Sequence, residues 1–279
     1  MVARVETAQS HQELLHDIVS TATEQGRAAF WWMGQHTFIV KAGDALIYID
    51  PFFDPWESRQ TASLLTPEEA GHADLVLVTH GHGDHLDPVS LRAMVTASPK
   101  ARFVSPRTEA ARMTAEGGVP HERLCPLSAG ERIDRGGVRV TAVKAKHESF
   151  DEDPALGFPF LGYVVEGGGV TFYHAGDTIM YDGLAETLKQ WPRLDAMFLP
   201  INGRDAERFL RGCLGNFTFQ EAAELAGELR PGLAVPTHYD MFVGNQEDPQ
   251  KFVHFLEAKF PGVASWVGPA GARVFFPLQ

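Results

Sequence analysis

Short apolar segments alternate along the chain with segments whose apolar positions recur at helical spacing, and glycine or proline stands at most of the changes. In the first half, RAAFWWMG, HTFIVKAG and ALIYIDPFF predict three successive strands, with turn signals at Gly34 and at Gly43. ADLVLVTH predicts a strand that is apolar on both faces and therefore buried. The next segment, DPVSLRAMVTAS, predicts a helix, because Asp87 suits the N-cap and Pro88 the first helical position.

The second half of the chain repeats this alternation. LGYVVEGGGVTFYHAGD predicts a β-hairpin, and AMFLPING and LAVPTHYD predict further strands. Between these two strands lies FTFQEAAELAGELRP, which predicts a helix with Thr218 and Glu221 at capping-box spacing. Strands in meanders followed by strand–helix units, in two similar halves, predict two sheets packed face to face with helices outside.

The N-terminal residues predict an element outside this alternation. Leu14, Leu15 and Ile18 have helical spacing, so we expect an amphipathic helix from about His11 to Thr23 that packs on the body or on another subunit. This segment lacks the basic start, apolar centre and cleavage site of a signal peptide. No apolar run in the sequence approaches the roughly 20 residues that a membrane span needs. These features predict a cytoplasmic protein with no membrane partner.

The composition is that of a globular protein with an acidic surface. The 279 residues are 44% hydrophobic, and the formal net charge is −12. This charge argues against a dedicated nucleic-acid-binding protein, which normally shows a basic face. The two cysteines, Cys125 and Cys213, do not indicate a disulfide framework, so a reducing compartment is expected.

Three histidines and two aspartates lie in the segment THGHGDHLD, directly after the buried strand LVLV. In an extended segment, residues two apart face the same side, so His80 and His82 can grip one metal ion together. Asp84 and His85 point apart and can reach a second ion. Imidazole and carboxylate are ligands for zinc, manganese or iron. Two glycines lie between the ligand candidates, Gly81 and Gly83. We expect them to relieve the steric limits of a tight turn.

Further candidate ligands stand where other predicted strands end. They are His147 in VKAKHES, Asp177 in HAGDT and His238 in VPTHYD. Asp50 likewise ends the strand IYID. A single strand-end histidine is as often a core residue as a ligand, but three candidates at matching positions favour a common metal site.

The motif HGHGDH followed in order by His147, Asp177 and His238, and preceded by the strand LIYIDP, resembles the motifs of the metallo-β-lactamase superfamily. The resemblance spans roughly residues 29–276. It implies an α/β fold, an αββα sandwich of two mixed sheets with helices on both outer faces. It also implies a division into an N-terminal helical extension, residues 1–26, and a catalytic domain, residues 27–279.

The resemblance implies a binuclear centre with a defined ligand set. One ion takes His80, His82 and His147, and Asp177 bridges to the second ion. The remaining ligands are Asp84, His85 and His238. Asp50 matches a motif that supports the site through hydrogen bonds to a ligand and does not itself bind metal. The expected cofactors are two divalent ions, zinc or manganese, with iron also compatible.

Within the superfamily the chain is most similar to the L-ascorbate-6-phosphate lactonase-like family. The shared segments are WWMGQHTFIV, HAGDT, PINGRD and PTHYDMF. His82 stands where the electron-transfer branch carries a glutamate, and the acidic chain lacks the basic arm of RNA-processing members. The resemblance implies a hydrolase acting on a lactone or ester of a sugar acid, with or without a phosphate group. A hydroxide between the two metals would attack the carbonyl, with Asp84 as the catalytic proton shuttle.

Substrate contacts are predicted on the same edge of the sheets, from Asn202, Arg204 and Tyr239. Arg204, Arg208 and Arg211 form a local basic group. A solvated loop or helix face is the simpler interpretation of Arg208 and Arg211, whereas Arg204 beside Asn202 is the better candidate for binding phosphate.

Two alternatives to a lactonase remain open at this point. The same metals serve a phosphodiesterase, of nuclease or phospholipase type, and a non-catalytic protein could use metal as a structural support. The expected partner is a small-molecule substrate and not a nucleic acid, and the family resemblance together with the N-terminal helix is compatible with a homo-oligomer.

His36 and His174 lie close in sequence to the segments that form the active edge. For both, a supporting role fits better than direct catalysis.

Overall fold

Two β-sheets face each other in residues 10–278, which the computed structural model describes. The strands of the first sheet are β1 (Ala28–Trp32), β2 (Phe38–Ala42), β3 (Ala45–Ile49), β4 (Leu75–Leu77), β5 (Arg102–Pro106), β6 (Leu124–Leu127) and β13 (Arg273–Phe276). Those of the second are β7 (Arg132–Arg135), β8 (Val138–Lys144), β9 (Leu161–Gly167), β10 (Val170–His174), β11 (Ala196–Pro200) and β12 (Ala234–Thr237). The orders are β13-β1-β2-β3-β4-β5-β6 and β12-β11-β10-β9-β8-β7.

Helices pack against both sheets. They are α1 (His11–Ser20), α2 (Pro88–Ala97), α3 (Ala110–Ala115), α4 (Leu184–Leu188), α5 (Ala206–Leu210), α6 (Phe219–Leu229) and α7 (Pro249–Lys259). Leu91, Met94 and Met113 from α2 and α3 are buried with the first sheet, and α6 and α7 contact the second. The predicted α/β sandwich of two mixed sheets is confirmed. No helix in this part of the chain has the length and apolar character to cross a membrane.

The space between the sheets is filled by aromatic side chains. Phe198 on β11 is fully buried, and its ring centroid lies 4.3 Å from that of Phe38 and 5.2 Å from that of Phe30. Phe172 and Phe276 complete this cluster. Because large aromatic rings bury the most apolar surface per residue, this cluster holds the two sheets together.

Strand direction brings several strand ends to one edge of the sandwich. In the first sheet, β3, β4 and β5 are mutually parallel. In the second, β10, β11 and β12 are parallel, and β8 runs the same way because both β8 and β10 are antiparallel to β9. Sites in such sheets lie outside the carboxyl ends of the strands.

The N-terminal helix packs on the first sheet through apolar contacts and through hydrogen bonds. Leu14 and Ile18 are buried, and the carboxylate of Asp17 accepts hydrogen bonds from Trp31 Nε1 at 2.8 Å and from Arg273 Nη1 at 2.6 Å. The helix ends at Ser20, three residues before the expected end at Thr23. The predicted extension over residues 1–26 includes residues 1–9, which lie outside the described part of the chain.

Three elements were not anticipated from the sequence: β6, β7 and α5. The strand β6, LCPL, contains a proline and lies at the edge of its sheet, and the edge strand β7, RIDR, is mostly exposed. Edge strands tolerate proline and polar residues, so they lack the apolar signal of inner strands. A 3₁₀ turn, Arg107–Glu109, directly precedes α3.

Candidate metal centre

The predicted ligands lie together at the shared edge of the two sheets. Asp50 directly follows β3, and the HGHGDH turn begins three residues after β4. His147, Asp177 and His238 follow β8, β10 and β12. Residues that begin within three positions of the ends of five strands therefore converge from both halves of the chain.

The two glycines of the turn allow neighbouring side chains to approach its backbone. A Cβ on Gly83 would lie 2.6 Å from Trp56 Cη2, and one on Gly81 would lie 2.6 Å from Arg112 Nη1. Arg112 Nη1 donates to the carbonyl of Gly81 at 2.7 Å and so holds the turn. Neither glycine has a positive φ. The two glycines therefore act by leaving space for side chains, for Trp56 at Gly83 and for Glu109 and Arg112 at Gly81, and not by adopting a left-handed conformation.

Four side chains form a first group, which is defined by His80, His82, His147 and Asp177 and can hold one cation. His80 Nε2 lies 2.9 Å from His82 Nδ1, and His147 Nε2 lies 3.7 Å from Asp177 Oδ2. His147 Nδ1 donates to the carbonyl of Gly215 at 2.9 Å. This bond fixes the tautomer that leaves His147 Nε2 free to bind a metal.

A second group consists of Asp84, His85 and His238. The Nε2 atoms of both histidines lie 3.7 Å from Asp84 Oδ2. Asp177 stands between the groups, because its Oδ1 is 3.5 Å from His85 Nε2 and its Oδ2 is 3.3 Å from His238 Nε2. The structure thus brings together all seven residues predicted as ligands, with Asp177 within reach of both groups.

Asp50 supports the second group from behind. Its Oδ2 lies 2.7 Å from His85 Nδ1, and its two oxygens accept hydrogen bonds from Thr79 N and Thr79 Oγ1, both at 2.7 Å. His85 Nδ1 therefore carries a hydrogen and donates a hydrogen bond to Asp50. The other ring nitrogen, Nε2, faces Asp84 and Asp177. A carboxylate behind a histidine in this manner orients the ring and raises its basicity as a ligand.

Opposite charges compensate one another inside the centre. Burial opposes the charged form of Asp177, but His238 and His85 outweigh it and hold the pKa of this carboxyl well below its usual range. Burial also opposes a charge on His85, but Asp177, Asp84 and Asp50 raise the pKa of this imidazole to about 10. Because a metal ligand must be deprotonated, cation binding to His85 has to release a proton.

Buried atoms without partners identify what the residues of the centre lack. Among the described residues, His85 Nε2 and Asp177 Oδ1 are buried and have no hydrogen-bond partner. Such atoms are costly unless another group satisfies them. Imidazole nitrogens and carboxylate oxygens are the donor set that zinc, manganese and iron accept, so the residues present fit a pair of divalent cations.

His36 and His174 form a layer beneath the ligands. Both are fully buried, with ring centroids 4.0 Å apart. His174 Nε2 donates to the carbonyl of His36 at 3.0 Å, and its Nδ1 accepts from Gly176 N at 3.3 Å. His36 Nε2 lies 3.0 Å from the carbonyl of Gly176, next to Asp177. Both histidines contact the backbone beside a predicted ligand and do not face the cavity.

Replacing His174 with glutamine should reduce the loss of stability in acid. Burial lowers the pKa of His174 from 6.5 to about 4 in the folded chain. As the pH falls from about 6.5 to about 4, the unfolded chain therefore binds a proton that the folded chain does not, and the free energy of unfolding decreases. This one histidine should contribute on the order of 3 kcal/mol to the decrease. Urea unfolding of both proteins at pH 7 and pH 4 measures it.

The exposed His254 on α7 provides the control for this experiment, and His254→Gln should keep the wild-type dependence on pH. If His174→Gln and the wild-type protein lose the same free energy of unfolding between the two pH values, His174 is not the group responsible.

A cavity of about 460 Å³ opens above the two groups. Its floor includes His82, Asp84, His147, Asp177 and His238. Its walls are built by three segments of the chain. The lining residues are Trp56, Ser58, Arg211, Gly212, Cys213, Leu214, Phe242, Val243, Gly244 and Asn245. A concave, partly apolar space with ionisable groups at its floor is the usual form of a small-molecule site.

The three predicted substrate contacts are not among the lining residues. Arg204 donates to both carboxylate oxygens of Glu221 at 2.6 and 2.7 Å, outside the cavity. Asn202 is buried and donates to Asn245 Oδ1 at 2.7 Å, so it supports a cavity residue from behind. Tyr239 is buried against Trp32, with ring centroids 5.2 Å apart. None of the three side chains that were expected to contact a substrate therefore lines this cavity.

The positions of Arg211 and Arg208 at the cavity were not predicted from the sequence. Arg211 lines the cavity, and Arg208 joins the two loops by donating to the carbonyls of Gly244 at 3.1 Å, Gln246 at 2.9 Å and Asn202. Their basic character was visible in the sequence. The fold of residues 204–217, which decides which arginine faces the cavity, was not.

Known proteins resemble this chain over most of its length. A family model described as a beta-lactamase superfamily domain matches residues 46–239, a range that contains both groups and Asp50. A UPF0173 metal-dependent hydrolase of Thermococcus kodakarensis is 32% identical over 231 residues, 82% of this chain and 92% of that protein. One of Methanopyrus kandleri is 33% identical over 233 residues, 81% of this chain and 90% of that protein.

Solved structures include one that resembles the chain over nearly its whole length. The structure of a metallo hydrolase from the archaeon Ignicoccus hospitalis matches with a TM-score of 0.71 and 25% sequence identity. The match covers 91% of this chain and 100% of that one.

Proposed function

Because the chain belongs to the metallo-β-lactamase superfamily, we propose that it is a metal-dependent hydrolase that opens a lactone or cleaves an ester of an anionic sugar acid. The observation that supports this most directly is the convergence of seven candidate ligand side chains, five of which line the floor of one cavity. The assignment to a lactonase-like branch rests on the sequence motifs and goes beyond what the relatives' names state.

The centre supplies the nucleophile in this proposal. Two divalent ions bound to the first and second groups would lower the pKa of a water molecule toward neutrality and polarise the carbonyl group of the substrate. The chain has to hold the ligands rigidly, exclude bulk water and move protons. Rigid holding comes from the strand ends and from Asp50, Gly215 and Arg112 behind the ligands.

Asp84 is suited to move the proton. Its carboxylate lies at the cavity floor and is 17% exposed, so it can reach both a water molecule and a leaving group. Burial would raise its pKa, but His85 and His238 outweigh burial and lower it. The carboxylate is therefore ionised at neutral pH and can accept a proton from the attacking water and pass it to the departing alcohol.

Arg211 is suited to bind an anionic group of the substrate. Its guanidinium makes one hydrogen bond among the described residues, from Nη2 to the carbonyl of Gly244 at 3.3 Å. Arg204, in contrast, is fully engaged with Glu221. An arginine at the rim of a cavity can offer two parallel N–H groups to a carboxylate or phosphate.

The change Arg211→Gln should lower kcat/KM for an anionic ester about 10- to 100-fold, mainly through KM. The reason is that a hydrogen bond to a charged group contributes roughly 1.5–3 kcal/mol. For a neutral ester of the same acyl group, the constant should change less than about threefold. Arg132→Gln, at an exposed position on β7, is the matched control. Equal losses for both substrates would contradict a role of Arg211 in anion binding.

A substrate panel tests the proposed reaction. The metal-loaded protein is assayed with sugar-acid lactones with and without phosphate, with simple esters, and with bis-p-nitrophenyl phosphate. The proposal expects hydrolysis of lactones or esters, with the highest kcat/KM for an anionic one. Cleavage of the phosphodiester alone would replace it with the phosphodiesterase alternative.

A further inference from the structure

The turn between β1 and β2 reaches the metal centre from outside the matched range of residues 46–239. None of its central residues, Gly34, Gln35 and His36, is a predicted metal ligand. Gln35 is 1% exposed, although a glutamine side chain is normally found at the surface. A buried amide needs hydrogen-bond partners, and here it finds them on the second group.

The side chain of Gln35 contacts two members of the second group at once. Its Nε2 lies 2.8 Å from Asp84 Oδ2 and 3.1 Å from His238 Nε2. The amide nitrogen has two N–H donors, and an ionised carboxylate only accepts, so the bond to Asp84 has a fixed direction. The single lone pair of His238 Nε2 is the one that a cation would take, so the side-chain bond that can persist in a metal-bound centre is the one to Asp84. Gln35 reaches the end of β12 through its backbone instead, because its carbonyl accepts from His238 N.

The backbone of Gln35 is held in place from three sides. Its N–H donates to Asp240 Oδ1 at 3.0 Å, and its carbonyl accepts from His238 N at 2.9 Å and from Trp32 Nε1 at 3.1 Å. Its φ of 51° lies in the left-handed region that non-glycine residues rarely adopt. His238 shares this feature, with a φ of 57°. Strained residues of this kind persist where the surrounding contacts determine them and are found at functional sites.

We propose that Gln35 is a positioning residue of the metal centre: its amide orients Asp84, and its backbone bond to His238 N keeps this carboxylate beside His238, so that the second group binds its cation. This inference rests on the proposed two-ion centre. One lone pair of Asp84 Oδ2 accepts from the amide, and the remaining acceptor directions stay available for a cation. Among the described residues, Gln35 makes no hydrogen bond to a member of the first group. Its contribution is therefore specific to the second ion.

Gln35→Met tests this role, since methionine has a similar length and no amide. Metal-stripped protein is titrated with Mn²⁺ and followed by calorimetry and by electron paramagnetic resonance. Wild-type protein should bind two ions and give a spin-coupled spectrum at two equivalents. In the variant the second ion should bind about 10- to 100-fold more weakly, as found when partners of ligating groups are removed. The first ion should bind with unchanged affinity, and the coupled spectrum should be lost at two equivalents.

Two further proteins complete the experiment. Gln25→Met, at an exposed position, should behave as the wild type. Gln35→Leu repeats the test with a different apolar side chain, and only variants whose far-ultraviolet circular dichroism matches the wild type are compared. Unchanged binding of both ions, or equal weakening of both, would overturn the positioning role and leave the two-ion centre intact. A wild-type protein that binds fewer than two ions would overturn the inference together with the proposed centre.

Discussion

Asp177→Asn should lower kcat/KM for the preferred ester at least ~1,000-fold, equivalent to about 4 kcal/mol of activation free energy. The carboxylate of Asp177 lies 3.5 Å from His85 Nε2 and 3.3 Å from His238 Nε2, and 3.7 Å from His147 Nε2 in the first group. The amide has the same shape, but it removes the negative charge between the two groups and places N–H donors where a cation would bind. Metal content should fall from two ions per chain to one or none.

The control for this change is Asp182→Asn, because Asp182 lies five residues later and is exposed. It should keep both activity and metal content. Steady-state kinetics and elemental analysis of the same preparations provide the measurement. An Asp177→Asn protein that retains two ions and more than a tenth of the wild-type kcat/KM would contradict the bridging position.

The second large effect concerns stability: Phe198→Ala should lower the free energy of unfolding by about 3–5 kcal/mol. Phe198 is fully buried between the sheets, with Phe38, Phe30 and Phe172 at centroid distances of 4.3, 5.2 and 5.9 Å. Its truncation removes buried apolar surface and leaves a cavity that strands of two sheets cannot close.

Denaturation with guanidinium chloride measures this change as a lower midpoint at constant slope. Phe209→Ala is the matched control, because Phe209 is 61% exposed and should change the free energy of unfolding by less than about 0.5 kcal/mol. A loss below about 1.5 kcal/mol for Phe198→Ala would show that the two sheets do not depend on this aromatic cluster.

The parts of the fold that follow from the sequence are those in which local pattern and burial agree. Inner strands such as β3 and β4 are continuous apolar runs, because both faces are covered. The helix α6 was marked by its capping box, in which Thr218 and Glu221 satisfy each other's backbone groups as expected. The edge strands β6 and β7 were missed, because their residues satisfy no such pattern.

The composition of the metal centre could be predicted for a related reason. Residues within three positions of the ends of parallel strands have little freedom in where they lie, so His147, Asp177 and His238 reach the same edge of the sandwich. The support from Asp50 followed from the same position. The number and identity of bound metals remain a proposal.

The wall of the cavity could not be predicted, because it depends on how two loops fold on each other. In the sequence, Arg204, Arg208 and Arg211 are equivalent basic residues. In the structure, Glu221 engages the first, backbone carbonyls of two loops engage the second, and only the third of these faces the cavity. Gln35 was overlooked for the same reason, since its partners Asp84 and His238 lie 49 and 203 residues away in the chain.

The most direct test of the two-ion centre is a crystal structure of the Mn²⁺- or Zn²⁺-loaded protein with anomalous difference maps recorded at the metal absorption edge. The account predicts two peaks per chain. One should lie among His80, His82 and His147, the other among Asp84, His85 and His238, with Asp177 in contact with both. A single peak, or peaks that these side chains do not contact, would contradict it.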